Sequence, residues 1–210
     1  MKRIVKKPDE RKKEIICAAR KLFQTNDYDR TTMQDIMKYV NIAKGTIYHY
    51  FSSKEALLEA VVEDLVDEEL KRKIELMNSD EFQNLNALQK IQSLLTSDHL
   101  AEENEHILES LHSAVNSTMH TRQLGRYLTK LSPLFASVIE EGCDQGLFKT
   151  AHPLESMELL LAGFQFLTDK GFYSWSEDDL SRRIASFPSL VEAQLGAPKG
   201  SFRFLTEQIK

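Results

Sequence analysis

Long apolar runs, glycine and proline are all scarce in this chain of 210 residues. No run approaches the roughly 18 consecutive apolar residues that a membrane-spanning helix requires, and the charged N-terminus lacks the apolar core of a signal peptide. The 8 glycines and 5 prolines fall at breaks between segments, without the alternating pattern that strands would show. We therefore expect a cytoplasmic protein with no membrane partner, built almost entirely from helices.

Cysteine is equally scarce. Cys17 and Cys143 are the two cysteines of the chain, and they show neither CxxC nor metal-ligand spacing. We expect free thiols, at least one of them buried. A redox-sensing pair is the less favoured alternative.

A histidine-rich and acidic segment is the candidate for a metal site or a carboxylate-based enzyme. Its members are His99, Glu102, Glu103, Glu105, His106, Glu109, His112 and His120. However, no two of these histidines are three or four residues apart, an HExxH pattern is missing, and acidic helix faces are usually solvated. The sequence therefore predicts no catalytic residue, no cofactor and no metal, with a regulatory metal as the less favoured alternative.

Positive charge is concentrated at the N-terminal end of an otherwise acidic chain. Residues 1–54 hold 13 Lys and Arg against 6 Asp and Glu, a net charge of +7, so the rest carries −5 − 7 = −12. The basic residues at the start are Lys2, Arg3, Lys6, Lys7, Arg11, Lys12 and Lys13. They can neutralise phosphates in a salt-dependent manner, although a solubilising basic tail is the alternative.

The segment from Thr31 to Phe51 has the pattern of two short helices joined by a tight turn at Asn41. Its apolar residues can close against one another: Ile36, Met37 and Val40 against Ile42, Ile47 and Phe51. Its second helix leaves four side chains outward: Lys44, Thr46, Tyr48 and His49. Donors, a methyl group and an aromatic ring on a small helix suit base edges and phosphates of a major groove. The segment predicts a DNA-binding helix-turn-helix.

Helical periodicity continues along the whole chain and predicts an all-α fold. The expected helices cover about 9–25, 31–40, 44–50, 52–77, 84–97, 98–117, 121–141, 153–170 and 176–195. We expect Thr32 with Asp35, and Ser52 with Glu55, to cap the second and fourth of them. Pro133 should kink or split one helix, and Pro188 should interrupt the last. Residues 196–210 should form a tail with at most a short helix.

The first 60 residues resemble the TetR (tetracycline-repressor-like) family of transcriptional regulators. The resemblance rests on Ile15-Ile16-Cys17-Ala18-Ala19, Leu22-Phe23, Tyr28, Thr31-Thr32, Asp35-Ile36, 44–51 (Lys-Gly-Thr-Ile-Tyr-His-Tyr-Phe) and 53–57 (Ser-Lys-Glu-Ala-Leu). A weaker likeness continues in 140–142, 145–148 and Ala162-Gly163. It implies a helix-turn-helix DNA-binding domain over residues 1–52 and a helical regulatory and dimerisation domain over residues 53–210.

Three positions depart from the family pattern. Asp27 and Asn41 stand where the family often has glycine, and both residue types tolerate left-handed backbone better than most. Ala43 stands where the family often has Ser or Thr, so the third helix should begin without a side-chain cap.

The resemblance also implies the DNA-binding residues. Thr46, Tyr48 and His49 would reach into the groove, and Thr32, Lys44 and Lys54 would hold phosphates. The backbone amide beside Gly45 could approach a phosphate, because no side chain obstructs it. The alternatives are packing for Tyr48, a plain surface histidine for His49, and support of its own helix start for Lys54.

Family members dimerise through their last two large helices and keep a ligand cavity in the helical core. The resemblance therefore implies a homodimeric repressor that a small-molecule effector releases from inverted-repeat, double-stranded operator DNA by shifting the fourth helix. The apolar helix 157–167 fits either a wholly internal position or a subunit contact. The candidate ligand contacts are His106, His112, Met119, Phe135 and Phe164, with ordinary packing as the alternative for each. An architectural or cell-division DNA binder without an inducer is the alternative function.

Overall fold

Every element in the described part of the chain is a helix. The computed structural model describes residues 7–97, 100–113, 116–169 and 171–207, and for 100–103 and 207 the backbone alone. The α-helices within these residues are α1 (Pro8–Asn26), α2 (Met33–Val40), α3 (Lys44–Tyr50), α4 (Lys54–Met77), α5 (Asp80–Gln83), α6 (Ala87–Thr96), α7 (Leu100–Glu109), α8 (Ser117–Asp144), α9 (Pro153–Thr168), α10 (Glu177–Leu195) and α11 (Phe204–Glu207). A 3-10 turn, Ser110–His112, follows α7. The predicted all-α class is confirmed.

The described residues form two compact units, each assembled from segments that are distant in sequence. The first unit draws on 1–68 and 99–120, and the second on 69–98 and 121–210. The division falls inside α4 and inside α8. The predicted domain boundary after residue 52 stays a prediction, although the first unit takes in more of the chain than residues 1–52.

The first unit is held together by the apolar faces of its helices. Its fully buried apolar side chains are Ile15, Ala19, Phe23, Ile36, Ile47, Leu57, Leu58, Val61, Leu65 and Ile107. Those of α1 lie four residues apart on one helical face, and Ile36 and Ile47 close α2 against α3. Burying one such side chain contributes about 1.5–3 kcal/mol, so two helices too short to be stable alone become stable together.

Helix α7 belongs to the first unit because it packs on α1. The amide Nε2 of Gln24 donates a hydrogen bond to Oδ1 of Asn104 at 2.9 Å. Asn104 is buried, and its backbone departs from helical geometry (φ −133°, ψ 23°). The helix is therefore bent at the residue that contacts α1.

The core of the second unit is built from α5, α6 and α8–α11. Two lysines lie inside it with their charges paired. Lys73 donates to the carbonyl oxygen of Leu94 at 2.7 Å and lies 3.0 Å from the Glu69 carboxylate. Lys90 donates to both carboxylate oxygens of Glu141 at 2.8 Å. These partners offset the cost of removing the ammonium groups from water.

Neither proline divides its helix, so the expected interruption at Pro188 and a split at Pro133 were wrong, while a kink at Pro133 stays a prediction. Helix α8 continues through Pro133, and α10 continues through Pro188. Both prolines lie beside buried side chains of their own helices, Phe135 and Val191 among them. Contacts with the core on either side outweigh the lost backbone hydrogen bond.

Three smaller expectations also need correction. The hydroxyl of Ser53, not Ser52, accepts the amide hydrogen bond that caps α4, from Ala56 at 3.1 Å. Neither thiol is buried, since Cys17 is exposed and Cys143 is intermediate. The segment after α10 contains the expected short helix, α11, but it is not a loose tail, because the Phe202 side chain is 1% exposed within the second core.

Candidate nucleic-acid interface

A well-defined turn links α2 to α3. Thr32 and Asp35 form the predicted capping box: Asp35 N donates to Thr32 Oγ1 at 3.2 Å, and Thr32 N donates to Asp35 Oδ2 at 3.0 Å. The Thr32 hydroxyl, followed by its amide, holds the pKa of the Asp35 carboxyl below its ordinary value. Asn41 ends α2 in the left-handed conformation (φ 55°, ψ 53°), as predicted. This geometry fixes the direction in which α3 leaves the turn.

Helix α3 is anchored from beneath and open at its start. Ile47 is fully buried and Phe51 nearly so, so one face of the helix points into the unit. Ala43 provides no side-chain cap, as predicted. A Cβ at Gly45 would meet nothing within 4 Å, so the first turn is accessible from outside. The amide of Thr46 donates to the carbonyl oxygen of Ala43 at 2.9 Å, so the amides that can meet an approaching phosphate are those of Lys44 and Gly45.

The outer face of α3 carries the predicted base-reading side chains. Tyr48 is 43% exposed, which is the observation that favours DNA contact over packing within the unit. Lys44 and His49 are exposed, and Thr46 is half-buried. The Lys44 ammonium lies 5.8 Å from the centroid of the Tyr48 ring. The roles assigned to these side chains stay predictions.

Lys54 lies where α4 meets the turn between α1 and α2. Its ammonium donates to the carbonyl oxygen of Tyr28 at 3.0 Å and lies 4.1 Å from the Tyr28 ring centroid. Burial, with smaller contributions from Glu55 and Asp29, raises the pKa of Tyr28 to about 12. These contacts support the alternative in which Lys54 holds the start of α4, and its phosphate contact stays a prediction.

The basic arm is only partly described. Lys2, Arg3 and Lys6 lie outside the described residues. Arg11 is paired with Glu14 at 2.6 Å, whereas Lys7, Lys12 and Lys13 are exposed. The exposed lysines on α1 can add sequence-independent attraction to DNA.

The five candidate ligand contacts are divided between the two units. Phe135 and Phe164 line one apolar cavity of the second unit. His106, His112 and Met119 belong to the first unit, where the two histidines are exposed and Met119 is buried. Phe135 and Phe164 therefore share a cavity, and the five ligand contacts stay predictions.

The described histidines of the histidine-rich segment form two separate contacts within the first unit. His106 lies 3.9 Å from the Glu109 carboxylate on the same exposed face. The ring centroids of His112 and His120 are 5.1 Å apart. His99 lies outside the described residues, as do the side chains of Glu102 and Glu103. No local sequence pattern indicates the contact between His112 and His120, because they are eight residues apart.

Helices α1, α2 and α3 share an apolar core, and α3, which follows a tight turn, exposes basic and aromatic side chains. This arrangement defines a helix-turn-helix DNA-binding protein. Comparison with known families agrees. Residues 15–61 match the family described as "Bacterial regulatory proteins, tetR family", and residues 99–190 match "Tetracyclin repressor-like, C-terminal domain". The chain belongs to the TetR family and is a DNA-binding transcriptional regulator.

Individual relatives are consistent with this assignment. The chain is 29% identical over 157 residues to the uncharacterized HTH-type transcriptional regulator YfiR of Bacillus subtilis, covering 71% of this chain and 73% of that protein. It is 24% identical over 163 residues to the HTH-type transcriptional repressor KstR2 of Rhodococcus jostii, covering 76% and 75%.

Solved structures share the fold. A transcriptional regulator from Cytophaga hutchinsonii matches with a TM-score of 0.66 at 22% identity, covering 89% of this chain and 99% of that one. GusR of Salmonella enterica matches with a TM-score of 0.56 at 18% identity, covering 93% and 100%. Within the described residues, none of the helices could cross a lipid bilayer.

Proposed function

We propose that this regulator is a homodimeric repressor that binds inverted-repeat operator DNA through α3 and leaves it when a small molecule binds its second unit. The observation that carries the proposal is the exposed face of α3 above a fully buried Ile47. A rigid helix of this kind presents side chains to base edges at a fixed depth. The proposal includes no catalytic step.

The side chains on and beside α3 would make two kinds of DNA contact, which their chemistry distinguishes. Thr46, Tyr48 and His49 would contact base edges, because they combine donors, acceptors and apolar surface. Lys44, Thr32 and the amide beside Gly45 would contact phosphates and fix the register on the duplex. Lys54 would add a phosphate contact with the hydrogen that its bonds to the carbonyl oxygens of Tyr28 and Asp29 leave available.

The homodimer would form through α9. Leu159, Ala162, Gly163 and Phe166 follow the i, i+3, i+4, i+7 spacing of one helical stripe, called here the α9 stripe. Leu159 is 64% exposed and Phe166 47% exposed, and a Cβ at Gly163 would meet nothing within 4 Å. An open apolar stripe on a solvent-facing helix is what an isologous dimer interface requires.

Release from DNA would be a population shift. Two half-sites lie about one helical turn, roughly 34–36 Å, or a multiple of it apart, so the two α3 helices must keep a fixed separation. A ligand can change that separation only by the difference between its affinities for the two states. Helix α4, which begins at Lys54 and continues into the second unit, is an element through which the change would pass.

The proposal is tested by selecting the preferred DNA from a random pool and measuring affinity by fluorescence anisotropy at several salt concentrations. Tyr48→Ala should weaken specific binding by about 1–3 kcal/mol and leave binding to random DNA nearly unchanged. Tyr39→Ala is the matched control, because Tyr39 is 51% exposed on α2 with its ring beside Lys21 of α1. Unchanged specific affinity in folded Tyr48→Ala protein would refute the role of α3.

A second candidate function is an architectural or cell-division DNA binder without an inducer. The wholly apolar cavity of the second unit favours the ligand-controlled repressor instead. A genome-wide binding map separates the two, because a repressor occupies few promoter-proximal sites and an architectural protein occupies many dispersed ones.

A further inference from the structure

The second unit contains one cavity whose chemistry is unusually uniform. Helices α6, α8, α9 and α10 and the segment after α10 supply its fourteen lining side chains, all of them apolar. Helix α9 contributes Met157, Leu160, Leu161 and Phe164. A ligand that carries a carboxylate, phosphate or ammonium group would lose its hydration here without gaining a partner. The lining therefore selects neutral, apolar molecules.

The size of the cavity limits the ligand further. Its volume is about 100 Å³. Dry cavities of about 150 Å³ lined by Leu, Ile and Phe bind benzene or xenon in other proteins. The cavity here is smaller, so a single aromatic ring is the upper size that it accepts, and a ring with a methyl group binds with small shifts of the lining side chains.

The segment after α10 forms one wall of the cavity, and a carboxylate binds two of its backbone amides. Oε1 of Glu192 accepts hydrogen bonds from the amides of Gly200 at 2.8 Å and Phe202 at 3.1 Å. Phe202 and Leu205 then line the cavity. Glu192 itself does not line it, so its role is to position the wall through charge-assisted hydrogen bonds.

We propose that this cavity binds a neutral, wholly apolar molecule about the size of one aromatic ring, and that Glu192 positions the wall formed by Phe202 and Leu205. The inference rests on the proposed function in one respect: the molecule bound here is the effector that releases DNA. The binding itself is independent of DNA, so the two can be tested separately.

The probe is toluene, with benzoate as the charged control of similar size, added to the full chain and followed by calorimetry and thermal unfolding. Toluene should bind saturably and raise the unfolding temperature, and benzoate should do neither. Leu161→Phe fills the cavity and should weaken toluene binding about tenfold or more. Leu154→Phe makes the same change at an exposed position of α9 and should leave toluene binding unchanged. Leu161→Ala enlarges the cavity and should shift preference to butylbenzene, which keeps the test decisive if Leu161→Phe does not fold.

Glu192 has its own test. Glu192→Ala should weaken toluene binding, and Glu192→Gln, which retains an acceptor oxygen, should restore most of it. Absence of saturable toluene binding, equal binding of benzoate, or undiminished binding in folded Leu161→Phe would overturn the assignment. Toluene binding that leaves operator affinity unchanged would confirm the cavity as a ligand site and refute the effector role in the proposed function.

Discussion

Asp27 shows how a single residue can store backbone strain in a fold that otherwise matches its sequence. It ends α1 with φ 63° and ψ 154°, a region populated almost only by glycine. Asn41, the other non-glycine residue with positive φ among those described, lies in the left-handed helical region that Asn tolerates. The expectation that both residues tolerate a left-handed turn therefore applies to Asn41, while Asp27 occupies a less favourable conformation.

Asp27→Gly should stabilise the protein. Strain of this kind costs about 1–3 kcal/mol. The greater conformational freedom of glycine in the unfolded chain reduces the stability gained by about 0.5–1 kcal/mol. We expect a net gain of about 1 kcal/mol in the free energy of unfolding, measured by urea denaturation. Asp29→Gly is the control, because φ at Asp29 is not positive, and it should lower stability. A destabilised Asp27→Gly protein would show that Asp27 is not strained.

The residues that could be predicted from the sequence are those whose partners lie within a few positions. Thr32 and Asp35 are three residues apart, and their capping box was predicted and is observed. The contact between Lys54 and Tyr28 spans 26 residues, and no local pattern indicates it. Ser53 was missed as the cap of α4 because Ser52 lies three residues before Glu55, the spacing of a capping box, whereas Ser53 lies three residues before Ala56. The helix begins at Lys54, which makes Ser53 the capping residue.

At the scale of elements, the helices themselves were predictable because their apolar faces repeat with the helical period. The effect of the prolines inside these helices was not predictable from the sequence. Pro133 and Pro188 lie within continuous helices, since packing on both sides decides whether proline breaks a helix. The segment after α10 was interpreted as a tail because Phe202 and Phe204 are too few to show a period.

Helix α8 contains two glycines with opposite environments, which allows a paired prediction. A Cβ at Gly142 would overlap the Phe148 ring, whereas a Cβ at Gly125 would meet nothing within 4 Å. Gly142→Ala should lower the free energy of unfolding by about 1–3 kcal/mol, because the ring must move. Gly125→Ala should raise it by about 0.5–1 kcal/mol, because alanine favours the helix. Thermal and urea denaturation measure both, and equal effects at the two positions would contradict the packing of Gly142 on Phe148.

For the whole molecule, the prediction concerns self-association. Leu159→Glu in the α9 stripe should weaken dimerisation about a hundredfold or more, since it places a charge where apolar surface would be buried. Leu159 is preferred to Phe166 because the Phe166 ring also contacts Phe172 and Tyr173 of its own chain. Analytical ultracentrifugation and operator affinity should both report the loss.

Ile74→Glu provides the control for this experiment. Ile74 is 41% exposed on α4 and lies outside the α9 stripe, so the same change there should leave self-association intact. If Leu159→Glu remains dimeric with normal operator affinity, the dimer forms through another surface.

The hydrogen bond between Gln24 and Asn104 has a consequence for hybrid regulators. Recombining the first 52 residues of this chain with the remainder of a relative would transplant α1 without the helix that packs on it. Gln24 would then face a foreign surface and lose its bond to Asn104, at a cost of about 0.5–1.5 kcal/mol for the hydrogen bond. A functional chimera should therefore carry residues 100–113 along with the DNA-reading head, although about fifty residues separate them in the sequence.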